Sequence, residues 1–400
     1  MLRTPARRAR GSGADGTRPG PYRAATGPHR RQEGTMTPIG IVGTGSYVPA
    51  EVVSNEEVAA GAGVTAEWIE ERTGIGRRHR AAPHEATSDL AAEAARRALR
   101  QAGVTADRLA FVVVATSTPD HPQPATASIV QHLIGARRAA AFDVNAVCSG
   151  FVYGLAVGTQ MLRGGTDPAA PYGLVIGADI YSRILDREDR RTAVLFGDGA
   201  GAAVLGPVPA GLGVVQTLLQ GRGDQHRLIG VAAGGSRRPA SAETVAEGGH
   251  WFRMDGRAVR GFVHEALPGA VSTLLRRAGV PAREVRHFVP HQANGVMLNQ
   301  VWPELGLPGA TMHLTVDRHA NTGAASVAVT LDAVHRRGGL ERGDLVLLAG
   351  FGGGMNIGAA LLRWALDQPA GPLGEPVYRA EDEAAERLAS WGLLSGAALR

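Results

Sequence analysis

The chain's single cysteine, Cys148, stands in the run DVNAVCSGFVYGL, where a strand gives way to a nearly all-apolar helix. A thiol at a helix N-terminus is well placed to ionise and act as a nucleophile. A solitary cysteine is also often an inert small core residue, and only this setting favours the catalytic reading. His291, one of thirteen histidines, ends a strand in VPHQAN. Asn321 in HANTGAAS has the residue type of an ordinary helix N-cap. Taken together, the three make a thiol nucleophile and two hydrogen-bond donors. The loop GFGGGMNIG (350–358) offers backbone amides with no side chains in the way, which suits an oxyanion. GIVGTGS is no dinucleotide loop, because Pro49 falls where the helix should begin. FGDGAGA (196–202) reads as a tight turn between strands.

These residues need a scaffold, and an internal repeat supplies it. The first half runs strand (FVVVATSTPD), helix (ATASIVQHLIG), strand (AAFDV), Cys148, apolar helix. The second runs strand (VRHFVPHQAN), helix (GVMLNQVWPEL), strand (MHLTVDRHA), Asn321, apolar helix. Cys148 and Asn321 thus occupy equivalent strand-to-helix turns. Helices apolar on every side must lie between two sheets. The expected fold is α/β, a five-layered αβαβα sandwich of two pseudo-repeated halves.

Strands are expected at Ile39–Gly43, Leu109–Ala115, Ala140–Val144, Leu174–Ala178, Ala202–Leu205, Arg286–Val289, Met312–Val316, Leu345–Ala349 and Gly358–Leu362. Helices are expected at Asp89–Ala102, capped by Ser88, and at Arg260–Ala278. Gly221–Gly249 reads as a long surface excursion. The expected units are 1–35, an Arg-rich leader; 36–210, the half with the cysteine; 211–366, the half with His291 and Asn321; and 367–400, a tail with an amphipathic helix around Glu381–Trp391.

Composition narrows the function. All 42 basic residues are Arg, which excludes phosphate-loop and Schiff-base chemistry that needs lysine. One cysteine excludes disulfides and cysteine-rich zinc sites. The net charge of +5 is concentrated at one end: residues 1–35 carry +6, leaving the other 365 at −1. A body so near neutral, with 5% aromatics, argues against nucleic acid as a partner. The apolar run Leu345 to Leu362 holds five glycines and reads as strand, turn and strand, so no membrane span is expected. The leader, ending before Met36, reads as untranslated or disordered, with a targeting segment as the alternative.

GTGSYVP, EWIEERTGI, DVNAVCSGF, FGDGAGA, AGGSRRPAS, VPHQAN, DRHANTGAAS and GFGGG follow one another between Ile39 and Trp364. In these motifs and their order the chain resembles the β-ketoacyl-acyl-carrier-protein synthase III family of the thiolase superfamily. The resemblance implies that Cys148 takes an acyl group from acyl-CoA. The amides of Cys148 and Gly353 would form the oxyanion hole. His291 and Asn321 would stabilise the enolate formed as malonyl on acyl carrier protein loses carbon dioxide. It further implies that Trp68, Arg72 and Arg190 grip CoA, and that the protein is a cytoplasmic homodimer whose partner closes the acyl pocket near Gln123. Carrier docking would fall to Gln292, Ala293, Asn294 and Val296, with Arg257 and Arg260 nearby. No metal or cofactor is implied beyond the substrates acyl-CoA and malonyl carrier protein.

Two departures stand out. Val296 occupies a position where relatives usually have arginine, and Arg260 one where they usually have an aromatic. Both point to a dedicated carrier protein, or to malonyl-CoA, in place of a general carrier. Two further readings stay open at this level: an acyltransferase on the same fold delivering to an alcohol or amine, and a non-catalytic partner subunit. The intact trio of Cys148, His291 and Asn321 speaks against the latter.

Overall fold

A computed structural model describes residues 37–369. The leader, and the tail from residue 370 with its expected helix, lie outside the described residues.

The chain begins with β1 (Ile39–Tyr47), β2 (Glu51–Ser54), α1 (Asn55–Ala62), α2 (Ala66–Thr73), β3 (Arg77–Arg80) and α3 (Thr87–Ala102). Next come β4 (Leu109–Ala115), α4 (Thr126–Leu133), β5 (Ala140–Val144), α5 (Gly150–Arg163), β6 (Tyr172–Asp179) and β7 (Gly199–Pro207). β8 (Gly213–Gly221), β9 (Ile229–Val231), α6 (Ala242–Ala246), β10 (Phe252–Met254) and α7 (Gly256–Ala278) follow. The last elements are β11 (Val285–Pro290), α8 (Gly295–Val301), β12 (Thr311–Met312), α9 (Val316–His319), α10 (Ser326–Arg336), β13 (Leu345–Gly352) and β14 (Asn356–Arg363).

Two five-stranded sheets result, ordered β5-β4-β6-β7-β1 and β12-β11-β13-β14-β8. Their pairings correspond: parallel, parallel, antiparallel, antiparallel across each sheet. The repeat read in the sequence is therefore a repeat of topology. Between the sheets lie α5 and α10, whose Phe151, Leu155, Val327 and Leu331 share one core with Phe111 and Val175 of one sheet and Leu348 and Leu362 of the other. α3 and α4 cover the outer face of the first sheet, and α7 and α8 that of the second. These are the five layers of the thiolase-like sandwich.

Small residues set the layer spacing. A Cβ on Gly45 of β1 would stand 2.5 Å from the Ala94 carbonyl oxygen of α3, so the glycines of GIVGTGS serve helix–sheet packing. A Cβ on Gly177 of β6 would come within 2.2 Å of the Ala324 carbonyl oxygen, just before α10.

Several expected boundaries move. Ala86, not Ser88, is the N-cap of α3; the Ala86 amide donates to the Asp89 carboxylate at 2.9 Å, while the Ser88 hydroxyl donates to Asp120 at 2.6 Å. The strand expected at Met312–Val316 shortens to Thr311–Met312, and Val316 opens α9 instead. The cause is Gln292, whose side-chain oxygen accepts from the amides of Thr315 and Val316 and turns the chain. In FGDGAGA the turn covers only the first residues, and Gly199 onward belongs to β7. Helix α7 starts four residues early because Asp255 caps it, accepting from the Ala258 amide at 3.0 Å. The excursion 221–249 holds β9 and α6, and Ile229 reaches back to the glycine loop at Gly353.

Candidate active site

Cys148 sits in a single 3-10 turn, Val147–Ser149, between β5 and α5. Val147 before it has φ +48°, a left-handed conformation that a β-branched residue rarely adopts. Ala320, immediately before Asn321, has φ +55°. Each half of the repeat therefore bends the chain sharply just ahead of Cys148 or Asn321. Such strain persists only where surrounding structure enforces it.

Strand β13 joins the parts. A Cβ on Gly352 would lie 2.9 Å from both the Cβ and the nitrogen of Cys148, so the thiol's backbone rests directly on this strand. Just past the neighbouring strand β11, His291 donates its backbone N–H to the Ala349 carbonyl at 2.7 Å. Its ring meets Phe351 edge-on, with centroids 5.1 Å apart. Gly353 comes next, and a Cβ there would approach Val147 at 3.2 Å. Asn321 is held from the first half: its amide donates to the Leu195 carbonyl, and its carbonyl accepts from Gly197.

The two donors are aimed by what they have already spent. The His291 Nδ1 is bound to the Ser326 hydroxyl at 2.6 Å, which leaves Nε2 for a ligand. Burial pulls the His291 pKa down to about 3, so the ring is neutral. The Asn321 side-chain oxygen accepts from the Gly323 amide at 2.9 Å, leaving its NH2 to donate outward. Cys148 itself is a correction. The expected acidic thiol is absent, for burial and then the negative charge of Asp179 push it up to about 12. One helix terminus does not outweigh full desolvation.

The CoA-gripping candidates are all at least partly exposed. Trp68 packs half-buried on a cluster with Ala193 and Val194, and exposed Arg190 lies just before that segment. Arg72 is exposed at the end of α2, its carbonyl accepting from the Asn294 side chain at 3.0 Å. Half-buried Val296 is next to Gly295, which faces the end of α2. Ala293 packs partly buried on the outer core of the second sheet. Gln292 does not belong to a docking surface: it is 1% exposed, and its amide is used on the backbone of Pro290, His313, Thr315 and Val316. Arg257 and Arg260 are exposed on the first turns of α7, and neither forms an ion pair among the described residues. Gln123 is exposed on the loop after β4.

Three participants were not read from the sequence: Asp179, Tyr181 and Ser326. Asp179 is fully buried at the end of β6 and accepts from Thr116, Ser117, Thr118 and the Ala324 amide. Tyr181, 1% exposed, is stacked on Phe196. Neither lies in a motif with a chemical signature, although Ser326 does follow Asn321 closely in HANTGAAS.

Comparisons with known proteins point to one family. Residues 142–223 match the family described as 3-oxoacyl-[acyl-carrier-protein (ACP)] synthase III, and residues 275–364 match its C-terminal part. The chain is 55% identical over 328 residues to an acetoacetyl CoA synthase of Streptomyces sp. (strain CL190), covering 81% of this chain and 98% of that protein. It is 43% identical to the β-ketoacyl-[acyl-carrier-protein] synthase III of Symbiobacterium thermophilum, over 82% of this chain and 99% of that one. Among solved structures, the priming β-ketosynthase of the R1128 polyketide pathway superposes with a TM-score of 0.77 at 32% identity, covering 84% of this chain and 98% of that one. The enzyme from Pseudomonas aeruginosa PAO1 gives 0.75 at 38%, over 83% and 100%. With a cysteine and two aimed donors carried by a duplicated sandwich, the chain belongs to the β-ketoacyl-acyl-carrier-protein synthase III family, whose members carry out the Claisen condensation that initiates fatty acid or polyketide synthesis.

Proposed function

We propose that this enzyme loads a short acyl group from acyl-CoA onto Cys148 and condenses it with malonyl-CoA. The Cys148 sulfur attacks the thioester carbonyl, and the amides of Cys148 and Gly353 receive the developing oxyanion. CoA leaves and malonyl thioester enters. The His291 Nε2–H and the Asn321 NH2 donate to its carbonyl oxygen, stabilising the enolate as carbon dioxide departs. The enolate carbon then attacks the acyl-Cys148 carbonyl, giving a β-ketoacyl thioester and returning the sulfur. In the tautomer that this requires, Ser326 donates to Nδ1 and the ring proton rests on Nε2. The reading calls on no metal or prosthetic group.

The observation that carries it is the pair of neutral donors, His291 and Asn321, each with its other polar atom already spent. A simple acyltransferase needs the thiol and a base but has no use for a second enolate donor. The choice of CoA for the extender draws on the 55% relative, named an acetoacetyl CoA synthase. Val296 and the buried Gln292 support it, since they remove polar contacts from the surface where a carrier would dock. A homodimer, with a partner covering the exposed Gln123 loop, completes the reading.

The test separates the half-reactions. Cys148→Ala should lose acylation by acyl-CoA, read by intact mass. Asn321→Ala should acylate normally but release carbon dioxide from malonyl-CoA roughly a hundredfold or more slowly. Condensation by Asn321→Ala at the wild-type rate would overturn these roles.

A further inference from the structure

A buried thiol at about 12 sets a problem that the residues above do not solve. His291 is neutral and, with its pKa near 3, takes up a proton poorly. Asp179 faces the thiol from the end of β6, and its charge opposes a thiolate. A second negative charge in so dry a site is costly. The charge can, however, be moved without being doubled.

Tyr181 lies between the two. Its ring is pinned by Phe196, stacked at 4.3 Å, and by Phe252, edge-on at 5.4 Å. Gly323 leaves room for it, since a Cβ there would meet the ring at 2.5 Å. The hydroxyl therefore cannot swing away. On one side it neighbours the Cys148 thiol, and it is the side chain that lowers the thiol's pKa. On the other it meets the Ser117 hydroxyl at 3.0 Å, which in turn donates to the Asp179 carboxylate at 3.1 Å. Burial raises the Asp179 pKa above the usual carboxylate range, making it a better proton acceptor.

We propose that Tyr181 is a further catalytic residue and that Tyr181, Ser117 and Asp179 form a proton relay for Cys148. The S–H bond breaks as its proton joins the Tyr181 oxygen. The Tyr181 proton passes to Ser117, and the Ser117 proton to Asp179. The sulfur keeps the electron pair and Asp179 becomes a neutral acid, so the site holds one negative charge throughout. Each hydrogen bond ends reversed, with the Tyr181 hydroxyl donating to the thiolate. The relay rests on Cys148 as the nucleophile and deepens that reading.

Alkylation of Cys148 by iodoacetamide tests it without either substrate, so its outcome is independent of the condensation assays. The titratable groups acting on the thiol are Asp179 and Tyr181, and His291 stays neutral throughout the range used. Tyr181→Phe keeps the ring and Ser117→Ala keeps Tyr181. In both, alkylation at pH 7.5 should slow about tenfold or more and recover as pH rises. Ser117→Thr, which restores a hydroxyl, should regain the wild-type profile. A wild-type pH profile in Tyr181→Phe or in Ser117→Ala overturns the relay.

Discussion

His291 can donate to an enolate only with its proton on Nε2, and the residue that biases the tautomer is Ser326. Its hydroxyl lies 2.6 Å from Nδ1 and also accepts from the Gln292 amide. Ser326→Ala removes that bias and frees Nδ1. Its expected effect is a loss of about 1 kcal/mol, or roughly fivefold, in carbon dioxide release, with acylation of Cys148 unchanged. Single-turnover mass spectrometry of both steps checks this. Equal losses in the two steps would mean a general packing defect.

Among the elements, α10 and α8 decide the site. The turn that opens α10 approaches β6 because Gly177 has no side chain, and Asn321 leads into that turn. Gly177→Ala should force the turn away at a cost of about 1–3 kcal/mol and weaken the enolate donors together with the fold. A lowered melting temperature with a larger loss in condensation than in acylation is the expected result; an unchanged melt would show that β6 yields instead. Helix α8 carries Val296 on its first turn beside the end of α2. Val296→Arg should raise kcat/KM for malonyl carrier protein about tenfold and leave malonyl-CoA nearly unaffected. No gain, combined with efficient use of the carrier by the unmodified enzyme, would remove the case for a CoA-borne extender.

For the molecule as a whole, two buried histidines and the half-buried His313 link stability to pH. Burial lowers His291 and His319 to about 3 and His313 to about 4, against an ordinary value of 6.5. Above that value the histidines are neutral in both folded and unfolded chains. Below it the unfolded chain takes up protons that the native state refuses, so stability falls with pH until the folded values are reached. Each contributes about 1.4 kcal/mol per pH unit, or roughly 4 kcal/mol in total one unit below 6.5. Asp143, Asp179 and Asp198 are shifted up by burial and act the opposite way, from the ordinary carboxylate range up to their raised folded values. The melting temperature should drop by several degrees between pH 7.5 and 5.5. A flat profile would mean that these rings are hydrated in solution.

The sequence by itself determined the architecture and singled out the proposed trio, because both are written locally. Strand and helix periods repeat twice, and Cys148, His291 and Asn321 each sit in a turn whose neighbours are quoted motifs. The helix start at Ala86 and the short β12 were less legible, since Ser88 is drawn to Asp120 and the chain past Met312 is turned by Gln292. Only the tertiary structure decided the state of the nucleophile. A helix N-terminus promises an acidic thiol, but dry burial and Asp179, 31 positions along the chain, reverse it. It alone also showed Gln292 turned inward and Tyr181 against the sulfur. Desolvation and long-range hydrogen bonds depend on which segments the fold stacks together, and no local pattern encodes that.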